Sequence, residues 1–168
     1  MKSYIFKTTK GWGALTLSDK GLYRLTIPVL SKAEAQDEGL TWGTLCPLHQ
    51  DQDAQGIVTL VQDYMKGRKV NFRKVKVDFT GVTPFRLKAY HELRQLDYGE
   101  TLSYGELAFR LGRPMGARAV GQAMGKNRVP LVIPCHRITS SNQKLTGFSA
   151  PGGTDTQRWL LGNEGLQL

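Results

Sequence analysis

The segment "SYGELAFRLGRPMGARAVGQAMGKNRVPLVIPCHRI", Ser103 to Ile138, decides how the rest of the chain is read. Ser103 and Glu106 have the spacing of a capping box, in which each side chain satisfies the other residue's backbone amide. A short helix therefore starts at Ser103 and ends near Leu111. "GRPMG" supplies turn chemistry. Ala117, Val120, Gly121 and Met124 then recur at helical spacing and predict the inward face of a second helix. This helix has almost no bulk, being built on Gly116, Ala117, Ala119, Gly121, Ala123 and Gly125. Each glycine costs about 0.5–1 kcal/mol relative to alanine. Close approach to something else explains them, either another helix or the narrow minor groove of DNA. Arg118, Gln122 and Lys126 follow at i, i+4, i+8 on the side away from the apolar stripe. Two short helices around a Gly/Pro turn in a basic region suggest a helix-turn-helix, though any αα-hairpin has this pattern.

The segment closes on Cys135 beside His136, and three readings of that pair stand. It is a buried thiol next to a surface imidazole, part of a metal site, or a nucleophile with a base alongside. Cys46 and His49 have Cys-x-x-His spacing, but two cysteines and three histidines are a poor supply for a four-ligand zinc site. A nucleophilic cysteine needs its thiolate favoured by a base or a positive field, which His136 and Arg137 can provide if the backbone turns there. Pro134 removes a donor and fixes φ, so a break in regular structure is expected. An imidazole base usually needs a third group to orient it. Glu164, in "LLGNEG", is the candidate, its alternative being a surface glutamate at a helix end.

Outward from this segment the chain reads as α+β. "GALTLSD" and "GLYRLTIP" alternate around Asp19-Lys20-Gly21 and predict a hairpin. Residues 31–51 read as loop. Ile57, Leu60, Val61, Tyr64 and Met65 predict a helix burying one face, with Asp53 at its N-cap and Gly67 just past its end. "FRKVKVDF" alternates as a strand would, and "DFTGVT" reads as a loop and domain boundary. The predicted domains are 1–80, a β-sheet plus helix, and 81–168, mainly helical. Thr83-Pro84 opens the second half as N-cap and N1, with Ala89, Tyr90, Leu93 and Leu96 as the buried stripe.

The composition, 22% charged and 40% apolar, is globular, and no apolar run reaches the ~18–20 residues of a membrane span. The first residues lack signal-peptide features, so a cytoplasmic address with reduced thiols is expected. The net charge is +9. No Asp or Glu lies between Leu107 and Thr154, whereas Arg110, Arg113, Arg118, Lys126, Arg128, Arg137 and Lys144 do. Six more basic residues lie between Lys66 and Lys76. These are solvated faces or the footprint of a polyanion such as nucleic acid.

"IPCHRI", preceded by "SYGELAFRLGRPMGARAVGQAMGKNRVPLV", closely resembles the O6-alkylguanine-DNA alkyltransferases, the methylated-DNA–protein-cysteine methyltransferases. The resemblance is strong from about Thr83 to Gly147, recovers near "RWLLGNEG", and is loose before residue 80. It implies a ribonuclease H-like β-rich subdomain followed by a helical DNA-binding and catalytic domain with a helix-turn-helix. The implied partner is double-stranded DNA containing O6-alkylguanine, held by the minor groove with the damaged base flipped out. The protein would act as a monomer, without membrane, metal or cofactor.

By the same resemblance Cys135 is the alkyl acceptor, consumed in one turnover. His136 is its base acting through water, Glu164 orients His136, and Arg137 is structural. Tyr104 helps extrude and hydrogen-bonds the base, Arg118 enters the vacated stack, and Asn127 shapes the turn holding the cysteine. Gln122, Lys126, Asn127 and Arg128 join Arg118 and Tyr104 on the DNA, and Phe148, Ser149 and Pro134 line the base pocket. Phe148 stands where many relatives have tyrosine, and Gln157 where some have lysine. Gln157 also has capping-box spacing from Thr154. Three other readings compete. Alkyltransferase-like proteins bind without repairing and usually replace this cysteine with tryptophan. A major-groove helix-turn-helix regulator would want bulkier polar residues on its second helix. A Cys-His hydrolase would turn over repeatedly.

Overall fold

The computed structural model describes residues 1–168, which form two compact units, Met1–Asp78 and Phe79–Leu168. Both combine helices with a small sheet, giving an α+β chain.

In the first unit, β1 (Lys2–Lys7), β2 (Trp12–Ser18) and β3 (Gly21–Leu25) form an antiparallel meander. The hairpin turns at Asp19-Lys20, as the alternation predicts. After α1 (Lys32–Trp42), β4 (Thr44–Leu45) pairs parallel to β1, giving the order β3-β2-β1-β4. Tyr4, Phe6, Leu15, Leu22 and Leu25 are buried in the sheet, together with Val58, Val61, Tyr64 and Met65 of α2 (Gln52–Met65).

Several expectations for this unit are corrected. Residues 32–42 are helix, not loop. The helix buries only Ala35 and Gly39, so it lacks the apolar stripe that marks most helices. Gly39 lies close to β4, where a Cβ would stand 2.7 Å from Leu45 Cδ2. Helix α2 is capped by Asp51, which accepts from the Ala54 amide at 3.0 Å, and not by Asp53. Its buried stripe is rotated from the predicted one. Ala54 and Val58 face inward, while Ile57 and Leu60 are half-buried along a groove. Gly67, at φ +81°, ends the helix in a Schellman motif, with its amide on Tyr64 O and that of Arg68 on Asp63 O. "FRKVKVDF" does not form a strand. Phe72–Val75 turns, and only Val77 bridges, to Leu22.

In the second unit, α3 (Pro84–Leu93) starts with proline at N1 and buries Ala89, Tyr90 and Leu93. Thr83 occupies the N-cap position without a capping bond, and its hydroxyl accepts from Arg86 Nε. The capping box forms at α4 (Tyr104–Arg110): Glu106 N to Ser103 Oγ is 3.1 Å and Ser103 N to Glu106 Oε2 is 2.7 Å. Helix α5 (Ala117–Gly125) buries Val120, Ala123 and Met124, whereas Ala117, predicted inward, is exposed. A parallel pair, β5 (Leu102–Ser103) with β6 (Ile138–Thr139), binds the segment after the cysteine to the start of α4. The pair brings Tyr104 beside Cys135. Helix α6 (Gly153–Asn163) completes the unit, with Gly152 at its N-cap, so the Thr154–Gln157 capping box does not form. No helix is long and apolar enough to cross a membrane.

Candidate active site

The backbone turns sharply at the cysteine. Pro134, at φ −79° and ψ 64°, centres an inverse γ-turn closed by Cys135 N to Ile133 O at 2.8 Å. A single 3-10 turn, Cys135–Arg137, follows and puts three consecutive side chains to separate uses. Cys135 forms part of the wall of a cavity of about 400 Å³, together with Tyr104, Gly121, Met124, Gly125, Thr146 and Phe148. Ser149 also lines it, but Pro134, expected in the pocket, is buried and is not in the lining. The small residues of α5 acquire a reason here: Gly121 and Gly125 leave room for the cavity, with no bulk between α5 and the Tyr104 ring.

Asn127 holds the cysteine from one side. Its Nδ2 donates to Ile133 O at 2.8 Å and to Cys135 Sγ at 3.1 Å, while its Oδ1 accepts from Val129 N. Behind the cavity wall lies a buried ionic cluster. His136 Nε2 meets Glu164 Oε1 at 2.7 Å. Arg137 grips the same carboxylate through Nε and Nη2, and Leu96 O through Nη1. The Gly99 amide donates to Glu164 Oε2, so the carboxylate's lone pairs are well used. Glu164 caps the C-terminal end of α6 and is buried, which removes the surface-glutamate reading.

Burial pushes the Glu164 carboxyl up, but hydrogen bonds from His136 and Arg137 and the charge of Arg137 outweigh it and hold the group at about 2. Burial lowers His136 despite the carboxylate, so the imidazole is neutral at pH 7. For the cysteine, burial is the largest influence and raises the thiol to about 11, with the Asn127 hydrogen bond pulling the other way. This corrects the expectation that His136 and Arg137 favour the thiolate at rest. Arg137 is neutralised by Glu164, and the resting group is a thiol. Tyr104 is likewise raised by burial and hydrogen-bonds Thr146.

Arg118, Gln122 and Lys126 are exposed along α5 and make no contact with the cysteine cluster. Arg128 donates to Thr80 O, and Arg113 stacks on Phe85 at 4.9 Å, so not every basic residue of the acid-free segment points its charge at solvent. No three His, Cys, Asp or Glu side chains converge as a metal site would require. Sequence reasoning did not find the Gly99 amide, the Thr146 and Met124 walls, or the grip of Gln157 on the motif. Gln157 Nε2 donates to His136 O and Ile138 O.

An α+β chain with a pocketed thiol, backed by a neutral imidazole on an anchored carboxylate, defines a cysteine-centred reactive site. Residues 84–166 match the family described as 6-O-methylguanine DNA methyltransferase, DNA binding domain. The methylated-DNA–protein-cysteine methyltransferase of Salmonella typhimurium is 40% identical over 113 residues, 67% of this chain and 64% of that protein. The matched region thus spans less than two thirds of that relative. The crystal structure of Mycobacterium tuberculosis OGT in complex with DNA superimposes with a TM-score of 0.79 at 30% identity, covering 98% of this chain and 93% of that one. The methyltransferase of the archaeon Pyrococcus kodakaraensis shares the fold, with a TM-score of 0.65 at 23% identity. The chain belongs to the 6-O-methylguanine DNA methyltransferase family.

Proposed function

We propose that this protein repairs O6-alkylguanine in double-stranded DNA by moving the alkyl group to Cys135, one irreversible turnover per molecule. The observation that carries the proposal is the Cys135 thiol in the pocket wall, held by Asn127 and adjoined by His136 on its anchored carboxylate. With Nε2 hydrogen-bonded to Glu164, neutral His136 carries its proton there, and Nδ1 is the accepting nitrogen. It takes the thiol proton through a water. The sulfur attacks the alkyl carbon in line, the S–C bond forms, and the bond from carbon to guanine O6 breaks with its electron pair. The leaving guanine takes a proton or hydrogen bond from Tyr104. A thioether does not return to thiol, and the chemistry calls for neither cofactor nor metal.

The α4–turn–α5 unit is read as a helix-turn-helix entering the minor groove. The exposed row of Arg118, Gln122 and Lys126 supports this reading. Arg118 fills the stack left by the flipped base, and Asn127 and Arg128 act at the edge of the contact. Phe148 walls the base pocket without the hydroxyl of a tyrosine. Residues 81–168 then hold the DNA-binding and catalytic functions. Residues 1–80 form a ribonuclease H-like subdomain, a reading supported by the β3-β2-β1-β4 order with β4 parallel to β1. A monomer in the cytoplasm completes the proposal.

The test is stoichiometry on a duplex carrying one O6-methylguanine with a labelled methyl. Label should pass to the protein up to one per molecule, and Cys135→Ala should bind the duplex without taking label. Turnover beyond one lesion per molecule would overturn the proposal.

A further inference from the structure

We infer that Gln157 is a positioning residue for alkyl transfer: it holds the turn that presents Cys135 by tying down two carbonyls that follow the cysteine in the chain. The inference rests on the proposed function and adds a residue to it. A three-residue 3-10 turn has few hydrogen bonds of its own, so its place depends on what grips it from outside. Asn127 grips the approach, at Ile133 O and at the sulfur itself. Gln157, from α6, grips the exit, with Nε2 donating to His136 O at 3.1 Å and to Ile138 O at 2.9 Å. The cysteine is thus held from both ends by amide side chains from different parts of the chain.

The energetics favour a positioning role over space filling. Gln157 is 1% exposed, and its Oε1 is buried without a hydrogen-bond partner. An unsatisfied buried acceptor of that kind destabilises the fold. Rotating the amide does not relieve it, because Oε1 would then face two carbonyl oxygens. Leucine or methionine would fill the space without the unsatisfied oxygen. What only a donor supplies at this position is the pair of bonds to the cysteine's turn.

The test is single-turnover transfer from an O6-methylguanine duplex, measured over a range of DNA concentrations with the full-length protein. Gln157→Leu should lower the maximal rate about tenfold to a hundredfold, the loss expected when a reacting atom moves by about 1 Å. The DNA concentration giving half the maximal rate should not change, because α5 is untouched. Gln157→Lys, which keeps a donor, should recover most of the rate. If Gln157→Leu lacks a cooperative thermal transition, Gln157→Met replaces it. Should both unfold, Gln157→Lys decides alone: a wild-type rate supports the inference and a tenfold loss overturns it. A wild-type maximal rate in folded Gln157→Leu or Gln157→Met, a loss confined to DNA affinity, or failure of lysine to rescue overturns the inference and leaves the proposed function intact. No transfer by the wild-type protein overturns both.

Discussion

Replacing Glu164 by glutamine tests the buried cluster quantitatively. The carboxylate receives His136 Nε2, two nitrogens of Arg137 and the Gly99 amide, all at 2.7–3.1 Å. Glutamine keeps the shape, removes the charge, and can accept through only one oxygen. Arg137, 7% exposed, is then left without its counter-charge. Breaking a buried pair from one side costs roughly 3–5 kcal/mol. The pH dependence gives an independent figure. Glu164 lies at about 2 when folded against an ordinary 4.5. Its contribution is therefore complete above pH 4.5 and is lost as the pH falls through about 2, a difference of about 3 kcal/mol. His136, held low by burial, adds a loss in both proteins that begins below its ordinary value of 6.5. Thermal melts by circular dichroism, taken without DNA from pH 7 to pH 3, read both effects. At pH 7 the variant should melt at least about 10 °C lower, since 1 kcal/mol moves a unit of this size by about 4–8 °C. Below pH 4.5 the gap should narrow, because Glu164 of the unfolded wild-type chain takes up a proton that the folded protein does not. A difference within about 2 °C at pH 7, or two curves that stay parallel to pH 3, would show that the Glu164 charge does not stabilise the fold.

Two further outcomes follow from the site. Without DNA at pH 7.5, iodoacetamide should label half-buried Cys46 well before Cys135, whose thiol at about 11 leaves roughly one thiolate in a few thousand molecules. Raising the pH toward 11 should speed labelling of Cys135, read by peptide mass spectrometry, and rapid labelling at pH 7.5 would contradict the assigned burial effect. Arg118→Ala should slow repair in duplex DNA on the order of tenfold while leaving reaction with the free modified base unchanged, and equal losses in both assays would reject Arg118 as the residue that fills the stack.

What could be read in the sequence followed the range of the forces involved. Caps and turns are local, so Ser103 with Glu106, Pro84 at N1, Gly67 and the break at Pro134 were legible from neighbouring residues alone. Helix α1 was not, because it docks through Ala35 and Gly39 and offers no apolar stripe, although Ser31 and Glu34 carry a capping box that marks its start. The strand expected at "FRKVKVDF" failed for the opposite reason. Alternation was present, but the chain turns at Phe72–Val75 and meets the sheet only at Val77. Ile57 and Leu60 fit a helical stripe as well as Ala54 and Val58 do, and only the sheet's position chooses between them. At the site, the Cys135–His136 pair was visible at once, whereas the state of the thiol was not. Which charge Arg137 answers depends on Glu164, far along the chain, and it is burial that leaves the cysteine protonated at rest. The donor bonds of Gln157 run between segments about twenty residues apart, which no local spacing encodes.

The proposed function requires that one sulfur be consumed by one lesion. The most direct measurement is peptide mass spectrometry of the protein after incubation with an excess of duplex carrying a single O6-methylguanine. One added methyl is expected on the peptide containing Cys135, none on that containing Cys46, and no further repair once every Cys135 is modified. An unmodified Cys135 beside repaired DNA would contradict it.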